Sequence, residues 1–370
     1  MERPLKSSAA VLRGPKLPIE IREREVPPPA PGCINIEVVR AGVCGTDGHL
    51  ATGDTDIPEP VVLGHEGLGR IIQLGEGVKT DHAGSPVEIG DVVYWNPIRP
   101  CHACYDCTVT LDMTACERGT FWSPADRAEV WASYTQVATL LPNNSFYRVD
   151  QSVPLDAYIA LGCALPTMLQ AMDKLGGMAP ASNVVVQGAG PVGLAAVMLA
   201  KLGGATSIAC IEANETRLQR ARDFGATVLV DMRDDALKTV EARAKHINAA
   251  VGERGVNLVI ECSGAVSAFE EGMGLLARNG QYLVVGTWAG SKKVQISPFD
   301  IVRKALRVVG STYCSPSSYY QAIKLVQAHH QTFPLADCVT HRYSLRDAQK
   351  ALDDVLGGKV VKAVIYPQEG

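Results

Sequence analysis

Cys101, Cys104, Cys107 and Cys116 stand together in one short loop of the chain. The repeated two-residue gap lets three sulfurs converge on one point from a tight turn. The fourth returns to close a tetrahedron, the arrangement that holds a structural Zn²⁺. A second set of metal-binding residue types is scattered: Cys44, His65 beside Glu66, and Cys163. Singly, each is more often a core or surface residue. Together, Cys, His and Cys suit a zinc ion with one open position, where a bound oxygen can be polarised.

A third feature is the turn Gly188-Ala189-Gly190-Pro191-Val192-Gly193, which follows the apolar run NVVVQ and opens the helix-like PVGLAAVMLAKL. In that setting the glycines let backbone approach a pyrophosphate, which sits at the positive end of the helix. About 20 residues further on, at the end of the next strand-like run, stands Glu212. A carboxylate there accepts hydrogen bonds from the adenosine ribose and repels a 2′-phosphate, which selects NAD over NADP. The competing reading makes it a solvated loop carboxylate. Arg217, one helical turn on, either lies against the adenine or ribose or faces solvent.

These residues need elements to hold them. Residues 1–164 are rich in Val, Ile, Gly and Pro. INIEVVRAGV, EGLGRIIQLG and VEIGDVVYW read as strands broken by glycine turns, so this part is mainly β. From 165 to 309 strand and helix alternate: NVVVQ, PVGLAAVMLAKL, TSIACIE, NETRLQRARDF, ATVLV, VNLVIECSG, GQYLVVGTW. That alternation predicts a doubly wound parallel sheet covered on both faces, and an α/β protein overall. Residues 310–370, with QAIKLVQAHH, LRDAQKALDDVLGG and VVKAVIYP, are expected to rejoin the first domain.

The 370 residues suffice for two cores, and 46% hydrophobic with 20% charged residues describes a globular chain. A net charge of −4 gives no reason to expect nucleic acid or an anionic membrane as partner. MERPLKSSAAVLRGPK lacks the apolar run of a signal peptide, and Lys201 interrupts the longest apolar stretch, so a cytoplasmic location is expected. Of the eleven cysteines, Cys33, Cys210, Cys262, Cys314 and Cys338 lack metal-like spacing; Cys210 and Cys262 read as core residues.

Motif by motif the chain resembles the zinc-containing alcohol dehydrogenases of the medium-chain dehydrogenase/reductase family. VCGTD, then GHE, a cysteine lobe, a further cysteine before the cofactor domain and GxGxxG occur in the family's order over nearly the whole chain. The resemblance implies a GroES-like catalytic domain beside a Rossmann cofactor domain, two zinc ions and NAD. Cys44, His65 and Cys163 would hold the catalytic zinc, with Glu66 either an alternative ligand or just behind it. Asp47 would orient His65, and the alcohol proton would leave through the Thr46 hydroxyl and the cofactor ribose to His49, the relay base at the surface. Thr167 would pack against the nicotinamide. The four-cysteine lobe would hold the structural ion. Two departures stand out. The gap between Cys107 and Cys116 is eight residues (108–115) where the family usually shows seven. The polyol dehydrogenase branch carries Glu where this chain has Cys163, which leans toward the alcohol branch.

The implied reaction is hydride transfer between an alcohol and NAD, giving a ketone or aldehyde. A polyol or amino-alcohol dehydrogenase and a catalytically silent NAD-binding relative are the alternatives. Trp95-Asn96-Pro97, Gly119–Pro124 and Trp288 are candidate pocket walls. The aromatic stretch 120–131 is either a lid over a bulky, secondary or cyclic alcohol or a loop packed on the lobe. The family forms dimers or tetramers, usually through cofactor-domain edges, so a homo-oligomer is expected.

Overall fold

The computed structural model describes residues 4–55, 57, 60–252, 255–286 and 293–369. Two compact units divide the chain. Residues up to Pro166, with Cys314–Gln331 and Leu335–Gly370, form one; Thr167–Tyr313 with Thr332–Pro334 form the other. The expected boundaries, after residues 164 and 309, each lie a few residues earlier. Among the described residues no helix is long and apolar enough to cross a membrane.

The first unit is built on a seven-stranded sheet. Its order is Val339–Ser344, Lys362–Tyr366, Ile34–Val43, Gly67–Leu74, Val92–Trp95 and Phe146–Arg148, with Val137–Leu140 also on Ile34–Val43. In the central strand Ile34, Ile36 and Val38 alternate into the core, as a half-buried strand requires. The inward parity then shifts to Ala41 and Val43, where the ladder to Gly67–Leu74 slips register between Val38 and Arg40. A four-stranded sheet, Glu20–Val26, Leu5–Leu12, Val61–Val62 and Ser123–Pro124, completes the β framework, and Trp95, Trp131 and Tyr134 are among the largest fully buried side chains.

Three pairings bring distant residues to one place. Ile34–Val43 delivers Cys44 at its end, where the helix Gly45–Thr52 begins. Gly67–Leu74 pairs antiparallel to it with Ala41 opposite Gly67, so His65 and Glu66 arrive beside Gly42. Lys362–Tyr366 pairs on the other side with Ala363 opposite Val43, so Lys362 arrives there too.

The second unit is a six-stranded parallel sheet. Its strands are β1 (Asn183–Gln187), β2 (Ser207–Glu212), β3 (Val228–Asp231), β4 (Val256–Glu261), β5 (Leu276–Val284) and β6 (Arg307–Gly310), in the order β3-β2-β1-β4-β5-β6. All the pairings are parallel, and β1 carries three valines in a row, Val184, Val185 and Val186, with Val184–Gln187 buried. Reversal of strand order beside β1 makes the crevice at its carboxyl end, where such sheets take a dinucleotide.

Candidate active site

Cys44, His65, Glu66 and Cys163 each place one donor atom within 4.8 Å of the others. The Cys44 and Cys163 sulfurs are 3.8 Å apart. His65 Nδ1 lies 3.2 Å from Asp47 Oδ1, which leaves Nε2 as the nitrogen free for an ion. That Nε2 is buried and has no hydrogen-bond partner. An orphaned buried nitrogen is costly, and beside two thiols it is what a metal site shows without its ion. The hydrogen bond from Cys163 draws the Cys44 thiol well below its ordinary range, against the effect of burial. The same bond and burial push Cys163 up. The donor set fits Zn²⁺.

Glu66 sits in a cage that only glycines leave open. A Cβ on Gly42 would lie 2.0 Å from Glu66 Oε2, and one on Gly162, at φ +50, 2.2 Å from the same carboxylate. Oε1 accepts the Cys163 N–H at 2.8 Å, and Oε2 takes the Lys362 ammonium, which also donates to Val43 O at 3.3 Å. Glu66 and Lys362 are both 1% exposed. Nearby, Tyr94 donates to Gly162 O at 2.8 Å, fixing the turn before Cys163.

Thr46 and His49 lie on the helix Gly45–Thr52. Thr46 Oγ1 is 3.7 Å from Cys44 Sγ. His49 is at the exposed side of the helix, its Nδ1 3.0 Å from Asp54 Oδ2. Phe121, from the aromatic stretch, lays its ring 5.1 Å from the His65 ring, and Trp122 stands edge-on to Phe121 at 4.2 Å. The arc is pinned at one end by the Arg99–Thr120 bridge and at the other by Ser123–Pro124 pairing on Val61–Val62. Trp95 and Asn96 are fully buried and Pro97 is also buried, so Trp95 is core here and not pocket wall. Trp288 lies outside the described residues.

The four lobe cysteines also converge, their sulfurs within 4.8 Å of one another. Backbone N–H groups of Cys101 and Ala103 point at sulfurs of Cys116 and Cys101, at 3.3 and 3.5 Å. The Ala103 N–H is the main reason that the Cys101 thiol falls to about 6, whereas burial lifts Cys107 to about 12. The eight-residue gap opens into a π-helical turn, Asp106–Thr110. A π turn holds more residues than an α turn, so the longer gap is absorbed without separating the sulfurs.

In the second unit Gly190 caps the helix Pro191–Leu202, with Pro191 at its first turn and Val192 following. A Cβ on Gly193 would lie 1.9 Å from Gly188 O, whereas one on Gly190 would meet nothing within 4 Å. Gly193 therefore packs the helix on the strand, and Gly190 faces open space that a phosphate can fill. Glu212, ending β2, accepts the N–H groups of Ala189 at 2.7 Å, Ala213 at 2.7 Å and Asn214 at 3.0 Å. A cavity of about 300 Å³ opens beside it, lined among others by Gly188, Gly190, Arg217 and Arg243. Arg243 is buried and paired with Glu271 at 2.6 Å. Thr167 lies on the helix Ala164–Leu175.

Lys362, Tyr134 and Tyr94 were not singled out from sequence. Each sits in an unremarkable strand or loop, and their partners are remote along the chain. The only local hint was a single charge, Lys362, in an otherwise apolar terminal strand, VVKAVIYP.

Comparison with known proteins agrees with this architecture. Residues 30–148 match the alcohol dehydrogenase GroES-like domain and residues 191–328 the zinc-binding dehydrogenase domain. The chain is 43% identical over 348 residues to the 5-exo-hydroxycamphor dehydrogenase of Pseudomonas putida, covering 94% of this chain and 95% of that one. It is 29% identical over 349 residues to the sorbitol dehydrogenase of Halalkalibacterium halodurans, with the same coverage of each. Its fold superposes on an alcohol dehydrogenase from Thermotoga maritima with a TM-score of 0.92 at 29% identity, covering 98% of this chain and 100% of that one. A zinc-binding dehydrogenase from Sinorhizobium meliloti 1021, bound to NADP, gives 0.84 at 25% identity over 98% and 100%. The chain belongs to the zinc-binding alcohol dehydrogenases of the medium-chain dehydrogenase/reductase family, and its reaction class is alcohol oxidoreduction.

Proposed function

We propose that this enzyme oxidises a bulky secondary alicyclic alcohol to its ketone with NAD, or runs the reverse reduction, at a zinc ion held by Cys44, His65 and Cys163. The observation that carries the reading is the orphaned, buried His65 Nε2 beside two thiols. Bound zinc supplies a Lewis acid that favours the ionised alcohol. NAD, bound on the glycine turn, supplies the hydride acceptor. The protein does the rest. Asp47 holds His65 by Nδ1, so that Nε2 serves the ion. Thr46 takes the alcohol proton, and His49, exposed and backed by Asp54, hands it to solvent. Glu66, tied to Lys362 and Cys163 N–H, stands behind the ligands as a held charge. Cys101, Cys104, Cys107 and Cys116 bind the second, structural zinc.

Aromatic rings beside the metal site support an apolar, ring-bearing substrate. Phe121 and Trp122 present mainly apolar ring faces, which suit a hydrocarbon skeleton better than a row of polyol hydroxyls. The hydroxycamphor dehydrogenase relative points to the same substrate class. The test is NADH formation across bicyclic, monocyclic, primary and polyhydric alcohols, with zinc counted per chain. A bicyclic secondary alcohol should exceed ethanol in kcat/KM by about 10²-fold or more, given 1–3 kcal/mol per well-packed methylene. Greatest activity on ethanol or a polyol would overturn the substrate class, and fewer than two zincs the metal assignment.

NAD is favoured over NADP because Glu212, held by three N–H groups, presents a fixed negative charge by the cavity. Glu212→Ala should lower kcat/KM for NAD roughly 10–100-fold, the worth of charge-assisted hydrogen bonds, while NADP gains. Unchanged discrimination would mean that Glu212 serves only the turn. Thiolate sites kept for metal fit a reducing compartment, the cytoplasm. For assembly we propose a homodimer, or a tetramer of such dimers, through the β6 edge, where Val308 is exposed; Val302 and Phe299 are exposed on the helix Pro298–Lys304 that precedes it.

A further inference from the structure

Behind His65 and Asp47 stands Tyr134, wholly buried, its hydroxyl donating to Asp47 Oδ2 at 3.0 Å. The same oxygen accepts the Cys44 N–H at 3.1 Å, and Oδ1 faces His65 Nδ1 at 3.2 Å. A carboxylate can rotate and exchange its two oxygens. Two donors of fixed direction on Oδ2 prevent this and leave Oδ1 for the imidazole. One donor is backbone; the other is Tyr134.

The ring of Tyr134 is itself tied to the segment that carries His65. Tyr134 N–H donates to Leu63 O, and Ser133 N–H to Gly64 O, each at 3.0 Å. The ring edge fills the place a side chain on Gly64 would need, 2.2 Å from that Cβ position, so nothing larger than glycine fits before His65. Tyr134 thus touches both halves of the pair, the carboxylate through its hydroxyl and the His65 strand through its backbone.

We propose that Tyr134 is a positioning residue of the metal site: its hydroxyl locks Asp47 in the orientation that presents His65 Nε2 to the ion. This rests on the reading of Cys44, His65 and Cys163 as zinc ligands. The hydroxyl does not touch substrate, cofactor or metal; it acts through Asp47. Partners beyond the ligands typically change metal affinity 10–100-fold, and Tyr134, one step further out, belongs at the lower end.

The test compares wild type, Tyr134→Phe and a variant with 4-aminophenylalanine at position 134, which restores a donor. Each zinc-loaded enzyme is challenged with a chelator, and the imidazole ¹⁵N spectrum of His65 is recorded with and without metal. Tyr134→Phe should lose one zinc about tenfold faster, with the lobe zinc leaving at the wild-type rate as an internal control. Its metal-free spectrum, taken at a pH high enough to make the ring neutral, should show mixed ring tautomers where wild type shows the Nδ1-protonated form alone. The aminophenylalanine variant should restore both. Wild-type release and spectrum in Tyr134→Phe would overturn the proposal, as would equal acceleration of both zincs, which marks a general loss of packing. Should Tyr134→Phe not fold, the aminophenylalanine variant decides by keeping or losing the wild-type spectrum. A wild-type enzyme with a single zinc would overturn the metal assignment instead, and the imidazole spectrum would then judge Tyr134 by itself.

Discussion

Cys44→Ser is expected to lower turnover by about 10³-fold or more and to remove one of two zincs, while NAD still binds. The site joins two sulfurs and one imidazole nitrogen within 4.8 Å, and a serine oxygen is a weaker, harder donor with no thiolate charge. An aliphatic alcohol is far too weak an acid to ionise near neutral pH without a Lewis acid, so loss of the ion removes the reaction and not merely some affinity. His65→Ala should act alike. Cofactor binding should survive because Gly188, Gly190 and Glu212 belong to the other unit, Thr167–Tyr313. Activity assays, zinc counts and NAD titration of the same preparations check this. Parallel loss of NAD binding would show that the substitution acts through folding.

Lys362→Met is expected to destabilise the enzyme by about 3–5 kcal/mol, the cost of leaving one member of a buried ion pair without its partner. Lys362 and Glu66 are each 1% exposed, and Lys362 Nζ also holds Val43 O, next to Cys44. Glu66, Cys44 and Cys163 gather acidic groups around Lys362, which supplies a countercharge there. Removing it leaves Glu66 with the Cys163 N–H as its remaining donor. Glu66→Gln in the same chain should recover most of the loss, since the pair is then removed as a whole. Urea unfolding of the single and double variants measures it. A loss below about 0.5 kcal/mol, the scale of surface changes, would mean that Glu66 does not depend on Lys362.

Much of the architecture was legible because its signals are local. Alternating apolar residues marked Ile34–Val43, and the strand–turn–helix texture around GAGPVG marked the parallel sheet. The aromatic stretch 120–131 could be read as a lid or as a packed loop. In the structure it divides: Phe121 and Trp122 are only partly buried, Phe121 against His65 and Trp122 against Phe121, whereas Val130 and Trp131 go fully into the core. A run of aromatic residues looks the same in both cases; only the strand pairings at its ends decide which rings turn inward. Trp95 is likewise core because it fills the space above Gly67 on the neighbouring strand, a relation that no local pattern records.

By itself the amino-acid order determined the chemistry on offer: sulfur spacing tight enough to enclose an ion in one loop, a glycine turn shaped for phosphate, and the scattered Cys, His and Cys. These depend on a few bonds of chain geometry, so they can be read without a fold. Tertiary structure alone decided what surrounds them. Antiparallel ladders on both sides of Ile34–Val43 carry Lys362 to Glu66 and set Glu66 beside Cys44, and the Ser133–Tyr134 backbone bonds bring a phenol to Asp47. Such charge balance and aim arise from long-range strand register, which no short stretch of residues encodes.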